Sequence, residues 1–396
     1  MYSRLLDRPV ALGQSFFLFG PRGTGKTTWL RQRFPDALYL DLLDASLHTE
    51  LLAHPERLRD LIPPQNPEWV VIDEVQRVPE VLNEVHCLMV ERGQRFVLTG
   101  SSARSLRRKG TNMLAGRALT FRMHPLTKLE LGVEADLDRS LVAGRLPPAV
   151  TAPDPRAFLK SYVQTYLREE VQQERLVRNM GSFARFLEAA TFSQGALLNV
   201  AEVARECSVE RKTVAGYFEI LGDLLLAGTL PVFNRRTKRR LAAHPKFYFF
   251  DAGVYRALRP AGPLDRPEEI EGAGLETLVY QELSALNDYL GLEYALSYWR
   301  TAAGAEVDFV LYGERGIIAI EVKRTRRLTA DDFTGLAQFR ADYPQARCIL
   351  LAGTPRREYR DGIELIPLTE GLATLHDLIA GSQRKRGSRP TPPRST

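Results

Sequence analysis

The sequence predicts an α/β fold, with a parallel doubly wound sheet followed by a helical region and a second α/β region. Three observations lead to this prediction. A glycine-rich loop at 20–27 separates an apolar segment from a helical one, and an apolar segment at 69–72 ends in two acidic residues. Two strand-like segments at 304–325 carry acidic residues that face each other. The first two features are typical of a sheet that binds a ligand at the carboxyl ends of its strands.

The loop GPRGTGKT at 20–27 fits the pattern G-x-x-x-x-G-K-[ST]. It follows the apolar segment SFFLFG, which predicts a buried strand, and it opens the segment KTTWLRQRF, which predicts a helix. Glycines let backbone N–H groups turn toward an anion, and the helix adds the positive end of its dipole. We therefore expect a phosphate site in which Lys26 contacts the outer phosphates and Thr27 binds Mg²⁺. The predicted nucleotide-binding residues are Gly20, Pro21, Arg22, Gly23, Thr24, Gly25, Lys26, Thr27 and Thr28.

The segment EWVVIDEVQ at 68–76 predicts the residues needed for hydrolysis. Its apolar residues predict a buried strand, and Asp73 and Glu74 follow at the carboxyl end of that strand. Asp73 is expected to hold the Mg²⁺ shell, and Glu74 is expected to orient and deprotonate the attacking water. A third apolar strand ends in polar residues, of which Thr99 and Ser101 are predicted to sense the γ-phosphate or the water.

Composition narrows the class of protein. The 396 residues predict two or three domains, and 44% hydrophobic and 26% charged residues are typical of a globular chain. The three cysteines match no metal motif, the start does not resemble a signal peptide, and no apolar run approaches the ~20 residues of a spanning helix. A cytoplasmic protein without a membrane segment is expected.

The charge of the chain permits an anionic partner. The net charge of +6 is modest, but basic residues cluster at 105–110, 234–240 and 384–394. The last cluster lies in a tail at 382–396, whose Ser, Pro and Arg content predicts disorder.

The middle of the chain predicts a helix-turn-helix followed by a wing. Asn199 is a candidate cap for a short first helix, a second helix with an apolar stripe follows, and two strands then flank a basic loop. Such a unit binds nucleic acid, but it also serves as a protein–protein module or as an ATPase lid. The candidate phosphate-contacting residues are Arg211, Lys212, Arg235, Arg236, Lys238 and Arg239.

The segment GAEVDFVLYGERGIIAIEVKRT at 304–325 predicts two strands joined by the turn GERG. If Tyr312 pairs with Ile317, alternation creates a charged face and a core face. The charged face comprises Glu306, Asp308, Glu321 and Lys323. The core face comprises Val307, Phe309, Leu311, Ile318, Ile320 and Val322. Asp308 then faces Glu321, and a divalent cation bound by both would remove the repulsion between them.

Two further residues extend this pattern to a nuclease-type site. Lys323 completes the arrangement D…E-x-K and would stabilise charge that develops on a phosphodiester. Glu276 lies on a mostly apolar helix, where a carboxylate is costly without a partner. The alternative is a half-exposed hairpin with a charged outer face, because E-x-K is short and common.

These motifs resemble those of the P-loop ATPases of the AAA+ superfamily that carry a C-terminal DUF4143 region. The resemblance covers the chain from about residue 14 to 370. It is carried by GPRGTGKTT, VVIDEVQ, FVLTGSSARSL, LAGR, HPLTKLEL, AGRLPPAV, YVQTYLREEV, FYFFDAGV, GLETLVYQEL and EVDFVL…IAIEVK.

The resemblance implies four regions. They are an AAA+-like P-loop NTPase sheet at 1–140, a helical and winged-helix domain at 141–260, an α/β domain like restriction endonucleases and PD-(D/E)xK nucleases at 261–381, and the basic tail at 382–396. The implied ATPase residues are Lys26, Thr27, Asp73 and Glu74, and the implied nuclease-like residues are Glu276, Asp308, Glu321 and Lys323.

The resemblance also implies assembly into a homo-oligomeric ring, for which six subunits is one arrangement. Arg117 of LAGR would then reach a phosphate, either in its own subunit or as a finger in trans. The helix after the E-x-K strand offers only Gln338 as the further residue that a nuclease site needs, so cutting is less supported than metal binding.

Two hypotheses of function follow, both with ATP and Mg²⁺ as cofactors. In the first, the protein is an ATP-hydrolysing machine that binds DNA and remodels, translocates on or processes it, including branched DNA. In the second, it is an ATP-dependent switch that acts through a protein partner without DNA. A metal-dependent nuclease gated by ATP is a minor third hypothesis, and a small-molecule kinase is disfavoured because Glu74 beside Asp73 is typical of water activation.

Overall fold

The structure is a computed structural model of the chain. It describes residues 2–63, 67–101, 104, 106, 114, 116–132, 136–173, 177, 179–235, 244–263 and 265–381. The predicted tail at 382–396 lies outside the described residues. In the described part of the chain, no helix combines the length and apolar character that crossing a membrane requires.

The first sheet has five parallel strands. They are β1 (Phe16–Phe19), β2 (Leu38–Asp41), β3 (Trp69–Asp73), β4 (Arg95–Gly100) and β5 (Leu119–Arg122), in the spatial order β2-β3-β4-β1-β5. β1 and β3 are buried along their whole length, as continuous apolar runs require in a sheet that is covered on both faces. The predicted α/β fold with a parallel sheet is confirmed. The order places β4 between the strand that precedes the glycine-rich loop and the strand that ends in Asp73.

Helices cover both faces of this sheet. They are α1 (Arg8–Leu12), α2 (Lys26–Arg33), α3 (Ala45–Ala53), α4 (Leu58–Leu61) and α5 (Val81–Glu91), with 3₁₀ turns at Pro55–Arg57 and Val75–Arg77. One apolar cluster includes Phe17, Ile72 and Leu98, and another includes Phe16, Val71 and Val97, so alternate residues of each strand point to opposite faces.

The middle of the chain is mostly helical. Its elements are α6 (Lys128–Leu131), α7 (Leu137–Ala143), α8 (Pro147–Thr151), α9 (Pro155–Gln173), α10 (Met180–Thr191), α11 (Val200–Glu206), α12 (Arg211–Asp223), β6 (Ala227–Leu230), β7 (Lys246–Phe249) and α13 (Ala252–Leu258). α11 and α12 form the predicted helix-turn-helix, and the Asn199 side chain caps α11 by accepting a hydrogen bond from Glu202 N (3.2 Å). β6 and β7 pair antiparallel, as a wing requires.

The segment after β6 packs on the C-terminal sheet. Phe233 is buried, and its ring lies 5.2 Å from the ring of Tyr343. The guanidinium of Arg235 lies over the ring of Tyr312, 4.5 Å from its centre. Arg235 therefore leans on the C-terminal region, while the predicted DNA contacts Arg236, Lys238 and Arg239 lie outside the described residues.

The C-terminal region is a mixed six-stranded sheet with helices on both faces. Its elements are α14 (Pro267–Leu290), β8 (Ala295–Arg300), β9 (Glu306–Gly313), β10 (Gly316–Lys323), α15 (Asp331–Asp342), β11 (Arg347–Ala352), β12 (Glu358–Arg360), β13 (Ile363–Pro367), α16 (Leu368–Ala373) and α17 (Leu375–Ala380). The strand order is β12-β13-β11-β10-β9-β8. β9 and β10 are the predicted hairpin, and Tyr312 pairs with Ile317 as predicted.

The predicted alternation of faces is wrong at one residue. Phe309 and Ile320 pack in the cluster that includes α14, but Val307 packs with Val310 and Ile317 in the cluster on the other face. The cause is a β-bulge in β9. Val307 and Val310 pair with Trp299 and Ser297 of β8, so two residues lie between the pair in β9 but only one lies between their partners in β8. Both faces of the hairpin carry apolar clusters, so the alternative of a half-exposed hairpin is also wrong.

Candidate functional site

The glycine-rich loop joins β1 to α2 as predicted, and its lysine is buried within it. Lys26 is 6% exposed, and its Nζ donates to Gly20 O at 2.5 Å. Thr24 Oγ1 donates to Pro21 O at 2.8 Å, which closes the loop on itself. Gly23 and Gly25 have φ of 81° and 92°, a region that disfavours residues with a Cβ. The backbone thus has the tight turn that phosphate binding requires.

Asp73 is the centre of a hydrogen-bonded group at the carboxyl edge of the sheet. Thr27 Oγ1, from the first turn of α2, donates to Asp73 Oδ2 at 3.0 Å. The hydroxyls of Tyr39 and Thr99 also donate to the two oxygens of Asp73, from the neighbouring strands β2 and β4. Burial, followed by the bond to Asp73, raises the pKa of the Tyr39 phenol. Tyr39 was missed by sequence reasoning because only the pairing of β2 with β3 brings it to this edge.

These residues fit the Mg²⁺ ion that a bound nucleotide brings. A hydroxyl and a carboxylate within hydrogen-bond distance of each other are the ligand types that Mg²⁺ takes in phosphate sites. Thr27 and Asp73 would hold the ion, which would neutralise charge on the phosphate oxygens.

Glu74 immediately precedes the 3₁₀ turn that follows β3, and it has a left-handed conformation with φ of 60°. Its backbone N–H donates to Thr99 Oγ1 at 3.4 Å, and its side chain accepts from Gln76 Nε2 at 2.5 Å. The same amide of Gln76 donates to Ser101 Oγ at 3.3 Å. The structure therefore links the predicted base Glu74 to both predicted sensors, Thr99 and Ser101. Gln76 was not predicted, although it stands two residues after Glu74.

The motif AGRLPPAV covers the glycine-rich loop from the helical region. A Cβ on Gly25 would lie 3.7 Å from the ring of Pro147, at the start of α8. Tyr162 of α9 donates its hydroxyl to Arg22 O at 2.9 Å, and the Arg22 guanidinium lies over the ring of Tyr166. The helical region therefore contacts the phosphate loop directly, which the sequence did not predict.

Arg117 lies at the opposite edge of the sheet from this loop. It precedes Leu119, which pairs with Phe16 at the beginning of β1, whereas the glycine-rich loop begins at Gly20 after the end of β1. At ~3.3 Å per residue, Arg117 and Gly20 are about 20 Å apart along the strands. The register therefore does not support contact between Arg117 and a phosphate of its own subunit, and the role of Arg117, in its own subunit or in trans, stays a prediction.

A buried arginine joins the helical region to the C-terminal region. Arg145 of AGRLPPAV is 1% exposed and pairs with Glu282 of α14. Its backbone N–H donates to Asp251 Oδ2 at 2.7 Å, and Asp251 also caps α13. Three motifs that carried the resemblance, AGRLPPAV, FYFFDAGV and GLETLVYQEL, therefore contact one another here.

The nuclease-like residues lie together, but a lysine occupies the space between them. Lys246, the first residue of β7, is 2% exposed. Its Nζ lies 3.3 Å from Asp308 Oδ1 and 3.5 Å from Glu276 Oε2, and it also pairs with Glu306. Sequence reasoning placed Lys246 in the wing and did not predict its contact with the acidic residues. Glu276 and Asp308 follow it by 30 and 62 residues, so no local pattern links them.

The remaining carboxylate oxygens have partners of their own. Asp308 Oδ2 accepts from Val322 N at 3.0 Å, and Glu321 Oε2 accepts from Asp308 N at 3.1 Å. Lys323 Nζ lies 2.8 Å from Glu321 Oε1. Burial, followed by repulsion from Asp308, raises the pKa of Glu321 to about 8 and that of Glu276 to about 7.

This arrangement does not fit a bound divalent cation. Within the described ranges, no three Asp, Glu, His or Cys side chains form a group that could hold a metal ion. Two ammonium groups, from Lys246 and Lys323, supply the positive charge that the sequence assigned to a metal on Asp308 and Glu321. The metal prediction at Asp308 and Glu321 is not supported by this arrangement and stays a prediction. Gln338 lies on α15, one turn after Gly335, which touches the backbone of Glu306.

The predicted DNA contacts Arg211 and Lys212 are exposed in the first turn of α12. The other end of α12 lies at the ATPase domain. Asp223 forms an ion pair with Arg104, which follows β4, and Leu224 and Leu226 share a small cavity with Pro21 and Ser101. α12 therefore connects an exposed basic surface to the surroundings of the phosphate loop.

The parallel sheet, the glycine-rich loop and the Asp73–Glu74 pair define a P-loop ATPase domain. Family models match three consecutive parts of the chain: an AAA domain at 13–131, a domain of unknown function (DUF8612) at 134–265 and a domain of unknown function (DUF4143) at 271–371. The chain therefore belongs to the AAA-type P-loop ATPases that carry a DUF4143 domain, a family in which nucleotide binding is implied.

Comparison with individual proteins shows similarity but assigns no activity to this chain. An uncharacterized protein of Haemophilus influenzae is 22% identical over 326 residues, which are 77% of each chain. The Walker-type ATPase PABY2304 of Pyrococcus abyssi is 15% identical, with 64% of this chain and 93% of that chain covered and a TM-score of 0.46. The Orc1 protein of Aeropyrum pernix, solved in complex with DNA, is 13% identical, with 64% and 89% covered and a TM-score of 0.26.

Proposed function

We propose that this protein hydrolyses ATP and uses the reaction to change its hold on DNA. Two parts of the molecule support the proposal: the group around Asp73 at the phosphate loop, and the helix α12, which extends from that loop to an exposed basic surface.

The hydrolytic step follows from the positions of three side chains. Lys26 turns from the carbonyl of Gly20 to the outer phosphates when a nucleotide enters, because the anion is a stronger partner than a neutral carbonyl. Glu74 takes a proton from water as the water oxygen attacks the γ-phosphorus, and the bond to the ADP oxygen breaks. The Glu74 backbone N–H donates to Thr99 Oγ1, which holds the backbone in place, and Gln76 Nε2 donates to the Glu74 carboxylate and orients it.

The coupling to DNA rests on the two ends of α12. Arg211 and Lys212 are exposed at its beginning, where the second helix of a helix-turn-helix contacts DNA. Its last residue, Asp223, is paired with Arg104 of the ATPase domain. Movement at the phosphate loop therefore shifts the helix that carries the basic residues. We propose no cleavage step, because lysines neutralise the carboxylates of the nuclease-like domain.

The test is the ATP hydrolysis rate without DNA and with single strands, duplex and four-way junctions. A rise of about tenfold with one DNA structure, which corresponds to about 1.4 kcal/mol in the barrier, is expected. Glu74→Gln should abolish the activity in every condition while it preserves nucleotide binding. Hydrolysis that no DNA changes would contradict the DNA part of the proposal.

A second function, as a switch that acts through a protein partner, is favoured by one observation. The beginning of the predicted wing is packed on the C-terminal sheet through Phe233 and Arg235, so this part is not presented to DNA. An ATPase that responds to no DNA but changes its rate with a protein partner would support this alternative.

A further inference from the structure

We propose that the adenine base of the nucleotide binds in a cavity between the ATPase domain, the β6–β7 hairpin and α14, where Gln281 recognises it. This inference rests on the proposed binding of ATP, and it assigns part of the nucleotide site to the DUF4143 domain.

The cavity has a volume of about 400 Å³ and opens beside the phosphate loop. Pro21 and His124 line it from the ATPase domain, Gly228 lines it from the hairpin, and Tyr280, Gln281 and Ser284 line it from α14. Small-molecule sites commonly enclose 300–1,000 Å³, so the volume is suitable for a nucleoside.

The position of the cavity agrees with the direction in which a bound nucleotide must extend. In the order β3-β4-β1-β5, Asp73 and Thr99 lie on one side of β1. The segment that lines the cavity, 122–125, begins at the last residue of β5, on the other side of β1. A nucleotide whose phosphates lie between Lys26 and Asp73 therefore extends across Pro21 toward β5. The space near Ser101 and Tyr162 measures only about 10 Å³ and cannot hold a base.

Gln281 is the residue that indicates a ligand. It is 3% exposed, and neither its amide nitrogen nor its amide oxygen has a hydrogen-bond partner among the described residues. A buried amide without partners is costly, so a group that satisfies both atoms is expected in the cavity that it lines.

The amide of Gln281 also indicates which base it prefers. A glutamine amide presents one donor and one acceptor, and it pairs in two places with adenine, which offers the N6 amino group beside the N7 acceptor. Guanine offers two acceptors, O6 and N7, on the same edge, so the oxygen of Gln281 would stay without a partner. A base that presents this edge to Gln281 should therefore be adenine, and in that orientation the site prefers ATP to GTP.

The test measures the affinity of the full chain for a non-hydrolysable ATP analogue, its GTP counterpart and inorganic triphosphate by calorimetry. Gln281→Leu should weaken binding of the ATP analogue about tenfold, the loss expected for two hydrogen bonds of about 0.7 kcal/mol each. It should leave triphosphate binding unchanged and reduce the preference for adenine. Leu is similar in volume and apolar, so the variant should fold, and its thermal unfolding is recorded alongside.

Gln94→Leu is the matched control, because Gln94 is also 3% exposed but lies at the start of β4, at the opposite edge of the sheet. It should leave all three affinities unchanged. If Gln281→Leu binds the ATP analogue as tightly as the natural chain does, the base site is wrong while the proposed function stands. If the natural chain binds neither the analogue nor triphosphate, the proposed function itself fails.

Discussion

The ammonium of Lys246 lies 3.3 Å from the carboxylate of Asp308, although 61 residues separate them in the sequence and the two belong to different sheets. Burial alone would lower the pKa of Lys246, but Asp308 and Glu276 outweigh it and hold the pKa well above the usual value. The lysine is therefore charged, and it serves as the cation of the acidic cluster.

Replacing Lys246 with methionine should destabilise the protein. The change leaves Glu276, Glu306 and Asp308 without their shared cation, and removing one partner from a buried ion pair costs about 3–5 kcal/mol. Added Mg²⁺ or Mn²⁺ should restore part of the stability of this variant and have little effect on the natural chain. Urea unfolding with and without the cation measures both effects. Lys212→Met, at an exposed lysine, is the control, and equal stability of the two variants would refute the role of Lys246.

Stability should fall as the pH rises from about 5 to about 8. Because the pKa of Glu321 is raised to about 8, the folded protein keeps a proton on Glu321 in this range that the unfolded chain has released. The folded state binds more protons, so the free energy of unfolding decreases with pH and the loss is complete above the folded pKa. Glu321→Gln should reduce the slope and leave the part that Glu276 contributes, since the pKa of Glu276 is raised to about 7. Urea unfolding at four pH values measures the change.

Glu364→Gln is the control for this pH dependence. A hydrogen bond from Arg347 lowers the pKa of Glu364, so its contribution is lost only in acid. The variant should keep the slope of the natural chain between pH 5 and 8. A natural chain with no slope in this range would contradict the raised pKa of Glu321.

Arg117 should act across a subunit interface. Arg117→Ala and Lys26→Ala should each lose ATP hydrolysis. In a mixture, an intact phosphate loop from one variant meets an intact Arg117 from the other, so part of the activity should return. The hydrolysis rate is followed as the ratio of the variants changes. A mixture that is as inactive as its components would exclude a role in trans.

DNA affinity should depend on salt through Arg211 and Lys212. Each phosphate contact contributes about 0.9 to the slope of log affinity against log salt. Replacing both residues with alanine should therefore reduce the slope by about 2 and weaken binding to every DNA sequence alike. Fluorescence anisotropy at several salt concentrations measures this, with Arg95→Ala, at an exposed arginine on the opposite edge of the sheet, as the control. An unchanged slope would place the DNA surface elsewhere.

Sequence reasoning succeeded where a structural feature is local in the chain. The glycine-rich loop, Asp73 and Glu74 were predictable because each motif sits at one strand end, and the pairing of Tyr312 with Ile317 followed from a short turn. Lys246, Tyr39 and Gln281 were not predictable, because their roles depend on which elements pack together. The misplaced Val307 has a local cause, since periodicity cannot reveal a bulge that depends on the neighbouring strand.

The helix α14 has a consequence for how the chain can be divided. Over its 24 residues, about 36 Å, it contributes Glu276 to the lysine-centred cluster, Gln281 to the proposed base site, Glu282 to the pair with Arg145 and Tyr289 to the apolar core of the ATPase domain. A recombination event that exchanged the DUF4143 domain between relatives would also exchange α14 residues that pack in the core of the ATPase domain. Exchange of either part alone would therefore disturb the packing of the other.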